Sequence, residues 1–413
     1  MESFINEVNF FNGNDPEELV REYGTPVYIY NEDILRNRME TVSRIITKYP
    51  YTANYSVKAN TNIHILKMAL EEGNNCDAMS VGEIKMLEAA GFSYDRIFFV
   101  PNNVTDDELL YAIDRNIMIS VDSLAQLKAV GKLNRGGKIA VRINPGVGAG
   151  HCDKVITAGK RTKFGISEED IDEMLALANR YNLKIVGINQ HIGSLFMEPE
   201  PYLAAVSNLL RIALQFEDLE FIDFGGGYGI PYHKLDGEKE FDMADLSARL
   251  EPILDEFVQA YGRTPVFKSE PGRYCVAEGS VLLGRVNSVK HNSGSKYVGT
   301  DIGMNVLVRP SMYNSWHDVE FLRDGKTLPR EDMEETTVCG NICESGDLLA
   351  VNRQLPKAKR GDLACLLDTG AYGYSMSSTY NSRPRPAEVL ICRDGSVKQI
   401  RRRETYEDLL QYM

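Results

Sequence analysis

The sequence predicts an α/β chain: a parallel (β/α)8 barrel of the TIM type, followed by a C-terminal all-β domain of Greek-key or β-barrel-like kind. Three observations carry that expectation. Between residues 25 and 273, short apolar runs alternate with longer stretches whose apolar residues recur three and four apart. After residue 273 the pattern turns to short β-rich runs punctuated by Gly, Asn, Asp and Pro. The chain has 413 residues, 43% hydrophobic and 25% charged, which is ordinary globular usage with room for two or three domains.

In chain order, a strand over 25–30 comes first and is expected to pair with the β domain, and a helix over 33–49 is expected to cover the lower end of the barrel. Eight apolar runs then read as strands, at 53–57, 76–79, 97–100, 118–121, 139–143, 185–189, 221–224 and 266–269. Between them lie amphipathic helical patterns at 63–72, 82–90, 107–116, 124–133, 168–181, 202–216 and 246–261. Parallel neighbours need a crossover helix, so eight strands with intervening helices fit a closed barrel, with an open doubly wound sheet as the alternative. The β-rich runs are 274–290, 296–302, 336–339, 363–367 and 386–391. The expected organisation is therefore an N-terminal segment 1–30, a barrel 31–273 and a β domain 274–413.

Lys plus Arg number 46 against 59 Asp plus Glu, a net charge of −13, which argues against nucleic acid or an anionic membrane as partner. No apolar run approaches the ~20 residues that span a bilayer, and the start lacks a basic region followed by an apolar one, so a cytoplasmic protein is expected. Seven scattered cysteines, at 76, 152, 275, 339, 343, 365 and 392, form no CxxC pair; neither a disulfide framework nor a metal site is suggested.

Functional side chains of such barrels sit at the carboxyl ends of the strands. The first strand ends in Tyr55-Ser56-Val57-Lys58-Ala59-Asn60, placing an amine at the mouth. The sixth ends in Gln190-His191-Ile192-Gly193-Ser194, offering a flat imidazole and a hydroxyl. The seventh runs into Gly225-Gly226-Gly227-Tyr228-Gly229, whose backbone amides can approach an anion where barrels commonly hold a phosphate. The eighth ends in Glu270-Pro271-Gly272-Arg273. Taken singly, each has a plainer reading: a solvated lysine, a structural histidine, a turn, an ion pair. Taken together, a Schiff-base lysine, a phosphate cradle, a stackable imidazole and a carboxylate are what pyridoxal phosphate requires. A carboxylate on the pyridine nitrogen keeps it protonated, which favours carbanion-forming steps, so Glu270 argues for decarboxylation.

With these blocks, the chain resembles the fold-type III pyridoxal-phosphate decarboxylases over nearly its whole length. Further matching blocks are Lys163-Phe164-Gly165-Ile166, Arg309-Pro310-Ser311-Met312-Tyr313, Cys343-Glu344-Ser345-Gly346-Asp347 and Ala371-Tyr372-Gly373-Tyr374. The resemblance implies that Lys58 bonds the cofactor aldehyde, His191 stacks on its ring and Glu270 meets its nitrogen. Ser194, Gly225, Gly226, Gly227 and Tyr372 would hold its phosphate, with Arg273 beside them. Arg273, Arg309 and Tyr313 would grip the far carboxylate of an amino-acid substrate, Glu344 its far ammonium and Tyr372 a further part of it. Cys343 would protonate the α-carbon after carbon dioxide leaves.

A substrate carrying both charges at its far end needs a cation and an anion in its pocket. The implied reaction is therefore loss of a carboxylate from the D-centre of meso-2,6-diaminopimelate, the last step of lysine biosynthesis, giving L-lysine. Other readings are decarboxylation of ornithine, lysine, arginine, carboxynorspermidine or a carrier-bound amino acid, or a non-catalytic pyridoxal-phosphate protein. The resemblance also implies a homodimer whose subunits share their active sites. This chain departs from the family at Leu195, where relatives carry Gln, at Ser311-Met312, where they carry Ala-Leu, and in the glycine-rich stretch 146–152.

Overall fold

The computed structural model describes residues 1–144, 149–150 and 163–413, so most of the glycine-rich stretch 146–152 lies outside the described residues. The chain divides into two compact units: Arg38–Gly229 with Glu240–Cys275, and Met1–Asn37 with Ile230–Lys239 and Val276–Met413.

The first unit is the barrel. Its strands are β1 (Tyr51–Ser56), β2 (Asn75–Ala78), β3 (Ile97–Phe99), β4 (Met118–Val121), β5 (Lys138–Asn144), β6 (Lys184–Asn189), β7 (Phe221–Asp223) and β8 (Val266–Ser269). All are parallel. They pair in the order β4-β3-β2-β1-β8-β7-β6-β5, and β5 pairs with β4 to close the ring. Each expected strand is present to within two residues.

Four of the barrel's helices start where the sequence supplies a cap. The side chains of Asn62, Ser80, Thr105 and Ser123 accept the orphan amides of His64, Glu83, Glu108 and Gln126, and Thr105 with Glu108 completes a reciprocal box. The helix expected over 33–49 is shorter, Glu32–Ser43. Pro50 disfavours helical backbone at residue 49, and the β-branched pair Ile45-Ile46 is buried without being helical.

The second unit is a ten-stranded sheet. Its main path runs Lys326–Thr327, Val319–Arg323, Leu363–Leu366, Ser280–Asn292, Val27–Asn31, Ala387–Ile391, Val397–Arg401. The expected early strand is Val27–Asn31, antiparallel to Ser280–Asn292 and parallel to Ala387–Ile391. Its core gathers Phe10, Val27, Ile29, Val281, Leu283, Leu363 and Val389. The run expected as β over 274–290 begins instead with a helical turn, Arg273–Val276, and the strand starts at Ser280. Gly279 marks the break: a Cβ there would lie 2.5 Å from Leu35 Cδ2.

The segment Ile230–Lys239 follows β7 in sequence yet belongs to this unit, where Lys234 is buried between Glu278 at 2.8 Å and Asp368 at 2.7 Å. Among the described residues, no helix is long and apolar enough to cross a membrane.

Candidate active site

The strand ends of the barrel are knitted together by their own backbone. After β1 the chain makes a one-turn helix, Val57–Ala59, that carries the half-buried Lys58. Ser56 fixes that turn from below: its N–H donates to the Pro271 carbonyl at 2.9 Å, and its hydroxyl donates to Asp77 Oδ2 at 3.0 Å. Tyr55 donates to the Asn60 carbonyl at 3.0 Å and closes it from above. The charge of Lys58 acts on Asp77, Glu83, Glu270 and His191, and so reaches groups at or just after the ends of three other strands, β2, β6 and β8.

The glycines after β7 serve packing as well as access. A Cβ on Gly226 would lie 1.8 Å from the Glu270 carbonyl oxygen, one on Gly225 2.3 Å from the Gln190 oxygen, and one on Gly227 2.6 Å from the Gly193 oxygen. Only bare backbone can lie between the loops that follow β6 and β8. In that position the Gly226 N–H donates to His191 Nδ1 at 3.3 Å. Burial, with help from the charges of Lys58 and Arg142, holds this imidazole well below its usual range, so it is neutral with its proton on Nε2. Leu195, just beyond the Ser194 block, has left-handed backbone with φ 64.

Glu270 is 4% exposed, and its Oε1 makes no hydrogen bond among the described residues. Burial first, and then the neighbouring Asp223 and Asp77 carboxylates, push it well above the usual carboxylate range, against the pull of Lys58 and Arg142. A buried carboxyl in this state fits a ring nitrogen, to which it can pass its proton and whose N–H it can then accept while balancing the positive charge. The residues present therefore fit a pyridine cofactor. Arg273 donates to Ser194 Oγ from Nη2 at 3.0 Å, so both polar groups expected near the phosphate are joined.

Sequence reasoning missed the polar layer beneath these residues. Burial pushes Asp77 up to about 7 and Asp223 up to about 6. Asp223 accepts the Gly225 N–H and the Asn54 amide, both at 2.9 Å, which anchors the glycine loop. Arg142 is buried with its guanidinium 4.6 Å from the Phe164 ring centroid, and the Lys268 amine lies 4.0 Å from that of Phe221. The available signal was a single ionisable residue inside each apolar strand run.

The remaining candidates lie in the second unit. Arg309 opens the helical turn Arg309–Tyr313, is 2% exposed and sits 2.7 Å from His317 Nε2, with its guanidinium 4.8 Å from the Tyr232 ring centroid. His317 Nδ1 faces the Leu367 carbonyl at 2.7 Å, so Nδ1 carries the proton and Nε2 accepts from the arginine. Tyr313 and Tyr372 are half-buried, and Tyr372 has φ 58.

Cys343 and Glu344 are exposed on a loop held by Asp347, whose carboxylate accepts the Ile342 N–H at 2.7 Å and the Met304 N–H at 2.6 Å. The Ser311 hydroxyl donates to the Gly346 carbonyl at 2.7 Å and ties this loop to the arginine turn. Among the described residues, no cluster of three or more His, Cys, Asp or Glu side chains is arranged to hold a metal.

Comparison with known proteins shows the family. Residues 32–277 match the family described as pyridoxal-dependent decarboxylase, pyridoxal binding domain. The diaminopimelate decarboxylase of Methanothermobacter thermautotrophicus is 43% identical, the match covering 97% of this chain and 94% of that one. The enzyme of the same name from Escherichia coli K12 is 35% identical over 95% of this chain and 96% of its own. A solved structure of Helicobacter pylori diaminopimelate decarboxylase complexed with L-lysine superposes with a TM-score of 0.87 at 31% identity, covering 96% of this chain and 98% of that one.

Proposed function

We infer the roles of individual residues from one premise: the chain belongs to the pyridoxal-dependent decarboxylase family, among its diaminopimelate decarboxylases. It converts meso-2,6-diaminopimelate to L-lysine and carbon dioxide. Its cofactor, pyridoxal 5′-phosphate, supplies an electron sink for the pair left on the α-carbon when carbon dioxide departs.

The observation that carries the assignment of residues is the buried Oε1 of Glu270, which has no hydrogen-bond partner among the described residues. Glu270 accepts the ring N–H of the cofactor and balances its charge. Lys58 bonds the aldehyde, and the neutral His191 presents an uncharged face for stacking. Gly225, Gly226 and Gly227 form a bare-backbone cradle for the phosphate; since the Gly225 and Gly226 amides are given to Asp223 and His191, the Gly227 amide, Ser194, Arg273 and Tyr372 hold it. Arg309, Tyr313 and Arg273 bind the far carboxylate of the substrate, with Tyr372 beside them, and Glu344 binds its far ammonium. Cys343 gives its thiol proton to the α-carbon. Charge placement on both ends of the substrate orients the bond to be broken and selects the amino-diacid over ornithine.

Three measurements test these roles. Cys343→Ala is expected to keep the visible absorbance of bound cofactor while turnover falls on the order of 10²–10⁴-fold, the usual worth of a positioned acid. Retained turnover would mean the acid is another group. Glu344→Ala is expected to raise KM for meso-diaminopimelate by roughly tenfold to a hundredfold, as for a lost charged hydrogen bond, with cofactor binding unchanged. Carbon dioxide release assayed side by side on meso-diaminopimelate, ornithine, lysine and arginine checks the selectivity; equal rates on ornithine would refute the role given to Arg309.

The working form we propose is a cytoplasmic homodimer in which Cys343 and Glu344 of one subunit serve the Lys58 of its partner. Mixing the inactive Lys58→Ala and Cys343→Ala proteins should then restore part of the activity. A mixture as inactive as its components, with sedimentation at the mass of one chain, would refute the dimer.

A further inference from the structure

Two residues that the reaction has not been assigned grip the Cys343-Glu344 pair. Asn381 accepts the Cys343 N–H through Oδ1 at 3.0 Å, and its Nδ2 donates to Cys343 Sγ at 3.2 Å. The orientation of this amide is fixed by chemistry: a backbone N–H can only donate, so Oδ1 must face it, and Nδ2 is left toward the sulfur. Immediately before it, the Tyr380 hydroxyl donates to Glu344 Oε1 in a short hydrogen bond. That bond to the carboxylate pushes the phenol up to about 12, so Tyr380 remains a donor throughout the neutral range. Adjacent residues thus hold adjacent residues, and the Tyr380 hydroxyl also lies against the Cys343 thiol.

The backbone supports the same reading. Asn381 has φ 56 and ψ 26, left-handed values that asparagine tolerates better than most side chains. Ser382 follows with φ 53. The tight turn aims both side chains of the Tyr-Asn pair at the 343–344 loop.

We propose that Asn381 and Tyr380 are positioning residues for proton delivery and substrate selection: Asn381 aims the Cys343 thiol and supports the thiolate it leaves, and Tyr380 fixes the Glu344 carboxylate for the substrate's far ammonium. The proposal rests on the roles given above to Cys343 and Glu344. In the step itself the S–H bond breaks, its proton goes to the α-carbon, and the sulfur keeps the electron pair. A donor already aimed at that sulfur stabilises the new negative charge without reorganising. The thiol then regains a proton from water.

Asn381→Asp and Asn381→Gly separate aim from architecture. Both tolerate left-handed backbone, the aspartate keeping an acceptor for the Cys343 N–H and the glycine removing the side chain. Each is expected to lower kcat about tenfold, as for loss of a hydrogen bond to a charged group, with little change in KM. A second readout needs no turnover. Iodoacetamide attacks the thiolate, so alkylation of Cys343, followed on its own peptide by mass spectrometry, should slow about tenfold in Asn381→Asp, where a carboxylate faces the sulfur.

Tyr380→Phe should instead raise KM for meso-diaminopimelate several-fold, with a smaller effect on kcat than either Asn381 variant. Wild-type kcat and alkylation rates in both Asn381 variants overturn the role of Asn381, and an unchanged KM in Tyr380→Phe overturns that of Tyr380. Cys343→Ala, run alongside, keeps the two readings apart. If it retains turnover, the assignment of the acid has failed; if it is inactive while the Asn381 variants are normal, only the positioning role has failed.

Discussion

Replacing Lys58 with alanine is expected to abolish covalent attachment of the cofactor and to cut turnover by several orders of magnitude while leaving the fold intact. The argument begins with where the lysine sits. It occupies a single helical turn after β1 whose geometry is set by Ser56 and Tyr55 rather than by its own side chain, and it is half-buried, so truncation opens no core cavity. What is lost is the amine and a positive charge. The charge matters to its neighbours, because it draws down Asp77, Glu83 and Glu270, all of which burial pushes up. Removing it lets those carboxyls hold protons more tightly and stay neutral, which costs the folded state little. Lys58→Arg separates the two effects: it keeps a charge and cannot bond an aldehyde at neutral pH. The checks are borohydride trapping with peptide mapping, the visible spectrum and a thermal melt. Wild-type protein should show the adduct on residue 58, both variants should show none, and both should melt within a few degrees of wild type. A trapped adduct on another lysine in wild-type protein would sink the assignment.

The barrel and its rim were legible before any coordinates because two periodicities alternate in register with turn residues. An apolar run such as 118–121 followed by a capped pattern at Leu124–Leu133 has few other solutions than strand, crossover and parallel strand. The rim residues were legible for a different reason: strand ends are where such barrels display side chains, so only a handful of positions had to be weighed.

The layer beneath was not. Asp77, Arg142, Asp223 and Lys268 each stand alone in an apolar run, and a period of two cannot say which face of a strand turns inward. Nor were the strands Val319–Arg323, Leu348–Pro356 and Val397–Arg401. The second slips register where it pairs with Met333–Cys339, which breaks the alternation, and the third is mostly exposed at its polar positions. Tyr380 and Asn381 lie in a turn with left-handed residues, a conformation that leaves no periodic trace, so only side-chain geometry could connect them to Cys343 and Glu344.

Adding one methyl group to Gly226 is expected to weaken cofactor binding on the order of a hundredfold or more and to lower the melting temperature, although the residue contributes no side-chain chemistry. The Cβ of an alanine there would lie 1.8 Å from the Glu270 carbonyl oxygen, 2.6 Å from its carbon and 3.3 Å from Pro271 N. All three are backbone atoms, so no rotamer change relieves the clash; the loops after β7 and β8 must part. Overpacking of this kind costs about 1–3 kcal/mol or more. The parting also disturbs function, because the Glu270 N–H bonds the Gly225 carbonyl at 3.0 Å across these two loops and the Gly226 N–H bonds His191, after β6, at 3.3 Å. A single methyl thereby moves the carboxyl for the ring nitrogen, the stacking imidazole and the phosphate cradle together.

Gly82→Ala is the control with the opposite sign. Gly82 lies in the helix Val81–Ala90, its nearest obstacle is Ser80 Oγ at 3.5 Å, and alanine there should stabilise by up to about 1 kcal/mol. Titration of the visible absorbance with pyridoxal phosphate and paired thermal melts decide the matter. Equal cofactor affinity in Gly226→Ala and wild type would show that these loops need not lie against one another for the site to form.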